Sequence, residues 1–180
     1  MARVINFSRQ YPKHHSLFGE STFFVEKLFE SFYGSSVSDF LKKEDWAFQA
    51  QIAPLNPTKD AKSIGKFIES ISRNEKEIHP KLHTIREGNN WKVGDYFSPR
   101  VWSEKPYRSG QIILAPDQKI VKTWKFEYAY NGYFLNEERL NESELAEIAK
   151  NDGLTLQNLK SWFNKPFVGE IICWDENVEY

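Results

Sequence analysis

The chain has 180 residues, 40% of them hydrophobic and 16% aromatic, with six Trp, eight Tyr and fourteen Phe. That is ample for the core of one domain, or of one domain with an elaborated arm, and it leaves rings to spare for a surface pocket. The formal net charge of −1 and pI of about 6.4 argue against salt-driven binding to long duplex DNA as the main task, and allow a local basic patch.

A single cysteine, Cys173, rules out a disulfide within the chain and a Cys-rich zinc site. It stands in the apolar run Ile171-Ile172-Cys173-Trp174, which predicts a buried, inert thiol. No secretory leader pattern and no apolar run near 18 residues is visible, so a cytoplasmic location without membrane contact is expected.

In chain order, Val4 to Phe7 reads as an edge strand. His14 and His15 are adjacent, point in different directions on any regular element and make a poor metal pair. Ser21 or Thr22 is placed to cap a helix running to Tyr33, with Phe24, Val25, Leu28, Phe29 and Phe32 at helical spacing and Gly34 as its stop. Asp39 to Gln51 is a further helix candidate, ended by Pro54 and Pro57. Asp60 to Arg73 has a clear apolar stripe of Ala61, Ile64, Phe67, Ile68 and Ile71.

After Pro80 the pattern changes. Leu82 to Arg86 is extended, Lys92 to Asp95 is a turn, and Tyr96 to Trp102 and Gln111 to Ala115 are strands. Ile120 to Tyr130 is a long strand turning at Asn131-Gly132. Asn141 with Glu144 three residues on is a capping box opening a helix, Thr155 opens another, and Gly169 to Trp174 is the last strand. Strands separated by long connections, with a late helical pair, predict an α+β fold: a small barrel flanked by helices.

Two blocks carry a family resemblance. The first is Lys81-Leu82-His83-Thr84-Ile85-Arg86 followed by Trp91-Lys92-Val93-Gly94-Asp95; the second is Ala149-Lys150-Asn151-Asp152-Gly153-Leu154-Thr155-Leu156. In order and spacing they resemble the ASCH domain family, whose members show a Lys-x-x-Thr-Ile-Arg motif, a short polar loop, a Val-Gly-Asp turn and a helix-to-helix corner before the final strand. The resemblance covers roughly residues 78–180, so residues 1–77 are expected to form a strand and helical extension packed on the barrel.

The resemblance implies a PUA-like barrel with a cleft for RNA or a modified nucleoside. Some small family members are similar to N4-acetylcytidine amidohydrolases, and their Lys, Thr and acidic trio corresponds here to Lys81, Thr84 and Asp152. Asp152 departs from the Glu expected there and is one methylene shorter. No cofactor or metal is implied.

The chemistry of those types is definite. Thr84 supplies a hydroxyl nucleophile, and Asp152 activates a water or orients the lysine. Lys81 serves as a base only if its environment neutralises it near pH 7. The planar fork of Arg86 suits an oxyanion or a phosphate. In a plain strand Thr84 and Arg86 share a face and Lys81 points away, so Lys81 and Thr84 converge only if the chain bends near Leu82.

From Lys81 to Arg108 six basic residues face three acidic ones, interleaved with rings. Arg86, Trp91, Lys92, Arg100 and Trp102 are therefore candidate RNA or nucleoside contacts, by stacking and phosphate pairing. The plainer reading makes Trp91 and Trp102 barrel plugs and the cations solvated charges. No Gly-x-x-x-x-Gly-Lys or Gly-x-Ser-x-Gly element occurs. Three functions follow: an RNA- or nucleoside-binding module, an amidohydrolase of acylated cytidine, and a protein-interaction module docking through Thr22 to Arg73.

Overall fold

A computed structural model describes residues 2–34, 50–71 and 79–180. The chain is α+β, with two mostly antiparallel sheets. It divides into two compact units assembled from interleaved stretches. One comprises Met1–Arg9, Ser21–Pro80 and Phe97–Gln118; the other comprises Gln10–Glu20, Lys81–Tyr96 and Lys119–Tyr180.

In the first unit, β1 (Arg3–Asn6) runs parallel to β3 (Tyr96–Trp102), and β3 pairs antiparallel with β4 (Gln111–Ile113). The two-residue β5 (Gln118–Lys119) also pairs with β3. Helix α1 spans Phe24–Tyr33 and stops at Gly34, whose φ of 63° lets its N–H reach the Glu30 carbonyl. At its start Phe23 occupies the cap in a left-handed conformation, while the Ser21 and Thr22 hydroxyls accept from the Phe23 and Phe24 amides just upstream. The expected hydroxyl cap is therefore not formed; Phe23 is the N-cap residue and no side chain caps the helix.

Helix α2 spans Ala61–Glu69 with Asp60 as its cap, Oδ1 accepting from Ser63 N at 2.7 Å. It ends earlier than its apolar stripe predicts, because the Ser70 hydroxyl bonds back to the Phe67 carbonyl. The helix expected over Asp39 to Gln51 falls almost wholly outside the described residues. Leu28, Phe29, Ile64, Phe67, Phe97, Val101 and Ile112 are buried in this unit.

The second unit is built on a sheet of order β2-β9-β6-β7-β8, with β2 His83–Glu87, β6 Lys122–Ala129, β7 Gly132–Leu135, β8 Glu138–Arg139 and β9 Phe167–Cys173. All four pairings are antiparallel. β2 and β8 are its two ends, so the sheet is open. The long strand ends at Ala129, and β7 and β8 follow as short strands that the sequence did not announce. Tyr133-Phe134-Leu135 and Glu138-Arg139 are too brief for a period to register.

Helices α3 (Glu142–Asn151) and α4 (Leu156–Trp162) begin as expected. Asn141 and Glu144 form a full capping box, and Thr155 accepts from Asn158 N. Phe163, just past α4, meets the buried Phe126 of β6 at 5.7 Å between ring centres. The fit of β2 against β9 depends on Gly169, where a Cβ would collide with the Arg86 carbonyl oxygen.

No described helix is long and apolar enough to cross a membrane.

Candidate functional site

The site lies in the second unit, where the C-terminal end of α3 meets the entry to β2. Helix α3 closes in a Schellman arrangement. Asp152 is the C-cap, Gly153 follows at φ 75°, Gly153 N donates to Lys150 O at 2.9 Å, and Leu154 N donates to Ala149 O at 2.8 Å. The next carbonyls are satisfied from β2's entry. Leu82 N donates to Asn151 O at 2.8 Å, and Lys81 Nζ donates to Asp152 O at 2.6 Å. A cation at a helix C-terminus also opposes the negative end of its dipole.

Lys81 Nζ donates as well to Asp152 Oδ1 at 2.6 Å, with the lysine side chain 0% and the aspartate 7% exposed. Two residues 71 positions apart thus form a buried ion pair. The Lys81 and Asp152 that the motif singles out are brought together.

His83 extends the cluster. Its Nδ1 lies 3.5 Å from Asp152 Oδ1 and its Nε2 2.7 Å from the Tyr180 hydroxyl, which in turn accepts from Asn151 Nδ2 at 2.9 Å. A ring proton on Nδ1 would face the Asp152 carboxylate and leave Nε2 to accept from the Tyr180 hydroxyl. Burial pushes the His83 imidazole below its ordinary value, against the pull of Asp152. Burial alone would raise the Asp152 carboxyl; Lys81 first, and then His83, outweigh it and hold it below the usual range. Burial also drives the Tyr180 phenol upward.

Thr84 and Arg86 lie on the other face of β2 from His83, as alternation requires. The register sets Thr84 against Ile172 and Arg86 against Glu170. Thr84 is buried and Arg86 half-buried. Burial lowers the Arg86 guanidinium, while the charge of Asp152 acts in the opposite sense. Glu170 is 3% exposed and accepts from Asn90 N at 2.8 Å and Trp91 N at 3.0 Å through Oε1, which fixes the loop carrying the half-buried Trp91.

Of the other sequence candidates, Lys92 is exposed, and its backbone N–H closes the turn on Asp95 Oδ2. Arg100 and Trp102 belong to the first unit. His14 and His15 contact the carbonyls of Trp162 and Asn158 through their Nε2 atoms, each at 3.0 Å. No group of three or more potential metal ligands occurs among the described residues. Cys173 is buried beside the Leu82 and Asp175 carbonyls, with its thiol pushed up to about 11 by burial, an unreactive state.

Sequence reasoning passed over His83, Glu170, Asn151 and Tyr180. His83 stands inside the quoted motif, and Glu170 is a lone acid in an apolar strand; both were visible signals. Tyr180 carries none.

No protein-family model matches this chain, and comparison with curated proteins and with solved structures likewise gave no match.

Two outcomes follow from this electrostatic cluster. Lys81→Met leaves Asp152 as a buried, uncompensated charge and is expected to cost about 3–5 kcal/mol, read from the denaturant midpoint. The double variant Lys81→Met/Asp152→Leu, which removes both charges, recovers most of that loss. For pH, the His83 value is lower in the folded chain than in the unfolded one. Its contribution is therefore complete above the unfolded value near 6.5 and declines as pH falls toward the folded value. Asp152 adds a second decline below about pH 4. Thermal melts between pH 8 and 4 are expected to show the first decline in the wild type and to lose it in His83→Gln.

Proposed function

We propose that this chain is an ASCH-type protein with a PUA-like barrel core, and that it binds a modified nucleoside or a short single-stranded RNA at the Thr84–Arg86 face of β2. The observation that carries the reading is the 2.6 Å pairing of Lys81 with Asp152, 71 residues apart, because those are the positions the two motif blocks single out. Around that pair stand groups suited to a base and its sugar. Arg86 offers a fork of donors, Thr84 a hydroxyl, and Trp91 a ring on a loop held by Glu170.

Binding is favoured over hydrolysis by the division of labour across β2. Lys81 is wholly buried and donates to two acceptors of Asp152. Thr84 stands on the opposite face from His83, whose Nδ1 meets that same carboxylate. A hydroxyl nucleophile needs its base within hydrogen-bond reach, and Asp152, a methylene shorter than Glu, is drawn to Lys81 and His83 instead. The amidohydrolase reading draws on the same pair, with Lys81 and Asp152 as two members of the trio.

Calorimetric titration with N4-acetylcytidine, cytidine and a short unstructured RNA separates the two. Saturable binding without release of cytidine is expected. Arg86→Gln is expected to weaken it roughly tenfold or more through the lost charged hydrogen bond. Trp91→Ala is expected to weaken it by about 1–3 kcal/mol, the worth of one base stacked on a ring. Cytidine release that Thr84→Ala abolishes would transfer the site to the amidohydrolase. Absence of binding to all three ligands would overturn the reading.

A further inference from the structure

The first unit carries a cavity that owes nothing to the cluster around Lys81. It has a volume of about 300 Å³ and is lined by Asn56, Pro57, Lys59, Arg100, Gln111 and Ile113, among others. Its volume is at the lower end of the range for small-molecule sites. Among the described residues no acidic side chain lines it, and two cations do.

The walls are fixed. Asn56 is 4% exposed, and its amide donates to the Ile52 and Ile113 carbonyls and accepts from Ile113 N, at 2.9 to 3.0 Å. The turn that follows is closed by Lys59 N donating to Asn56 O at 2.9 Å, with Pro57 inside it. Arg100 is oriented by two of its nitrogens. Nε donates to Ser98 Oγ at 3.1 Å and Nη1 to Gln111 Oε1 at 3.2 Å. Among the described residues neither Lys59 nor Arg100 pairs with a carboxylate. The ammonium of Lys59 lies over Gly110, where a Cβ would collide with Nζ. Two cations line one cavity, Arg100 oriented by Ser98 and Gln111 and the Lys59 ammonium close over Gly110, a pairing suited to a compact, multiply charged anion.

Beside it is an aromatic shelf. Arg100 and Trp102 are two residues apart on β3, hence on one face and separated by about 7 Å along the strand. The Tyr107 ring centre is 5.4 Å from that of Trp102. Tyr107 is 89% exposed and has φ of 61°, an unfavourable backbone for a residue with a side chain, and nothing apolar is gained by leaving its ring in water. The spacing from cation to ring suits the distance from a 5′-phosphate to its base.

We propose that this cavity and shelf form a nucleoside 5′-phosphate site, with the phosphate between Lys59 and Arg100 and the base on Trp102 and Tyr107. The site belongs to the first unit and does not rest on the function proposed for the second.

The test is calorimetry of the full chain with adenosine 5′-monophosphate, adenosine and inorganic phosphate at low ionic strength. The monophosphate is expected to bind more tightly than either fragment. Lys59→Met and Arg100→Gln each weaken it and inorganic phosphate roughly tenfold. Gly110→Ala, which displaces the Lys59 ammonium without changing net charge, weakens both as well, and Tyr107→Ala weakens only the monophosphate. Lys165→Met, which removes an exposed cation of the second unit that belongs to neither site, leaves all three affinities unchanged. A 5′-phosphorylated dinucleotide binding tenfold tighter assigns the site to an RNA end, and equal binding assigns it to a free nucleotide. No saturable binding of the monophosphate, binding indifferent to Lys59→Met and Arg100→Gln, or phosphate bound as tightly as the monophosphate would overturn the proposal.

Discussion

A lysine with no exposed surface, facing an aspartate that is nearly as enclosed, is the constraint on which the second unit turns. Neither charge is tolerable there alone, so Lys81 and Asp152 must meet, and the meeting locks the end of α3 to the entry of β2. Lys81 adds one more bond, to the Asp152 carbonyl, and the Leu82 amide takes the Asn151 carbonyl. Orphan carbonyls of a helix end, a strand start and an ion pair are thereby satisfied together. Such a pair adds little net stability compared with apolar residues of equal volume, so its value lies in fixing one geometry.

That geometry sets what surrounds it. His83, two residues into the segment, is directed at Asp152 and Tyr180, and the next residue along, Thr84, therefore turns to the opposite face with Arg86. Glu170 lies across from Arg86 in the register and spends its carboxylate oxygen on the Asn90 and Trp91 amides. The strand thus has one side turned to the Lys81–Asp152 pair and another with a guanidinium, a hydroxyl and a ring on a tethered loop. The second side is the one proposed above to meet a ligand.

Much of this was legible in the sequence where local chemistry decides structure. The Asn141–Glu144 capping box, the Thr155 cap, the Gly34 stop and the strand Tyr96–Trp102 all stand where their residues predict. Legibility failed where tertiary contacts or very short elements decide. Ser70 ends α2 through a side-chain bond that no period reveals, and β7 and β8 are too short to carry one. At the site, spacing alone put Lys81 and Thr84 on opposite faces, and only the motif comparison pointed to a lysine and an aspartate 71 residues apart. Tyr180 was invisible because its role comes from where the chain's last residues fold, against His83 and Trp124.

The central claim is that the Lys81–Asp152 pair supports a working binding face and is more than a helix clamp. Mapping amide shifts by heteronuclear NMR during a titration with N4-acetylcytidine tests this most directly. Saturable shifts centred on Thr84, Arg86, Asn90, Trp91 and Glu170 are expected. Shifts confined to other parts of the chain, or none at millimolar ligand, would contradict it and leave the pair with a structural role alone.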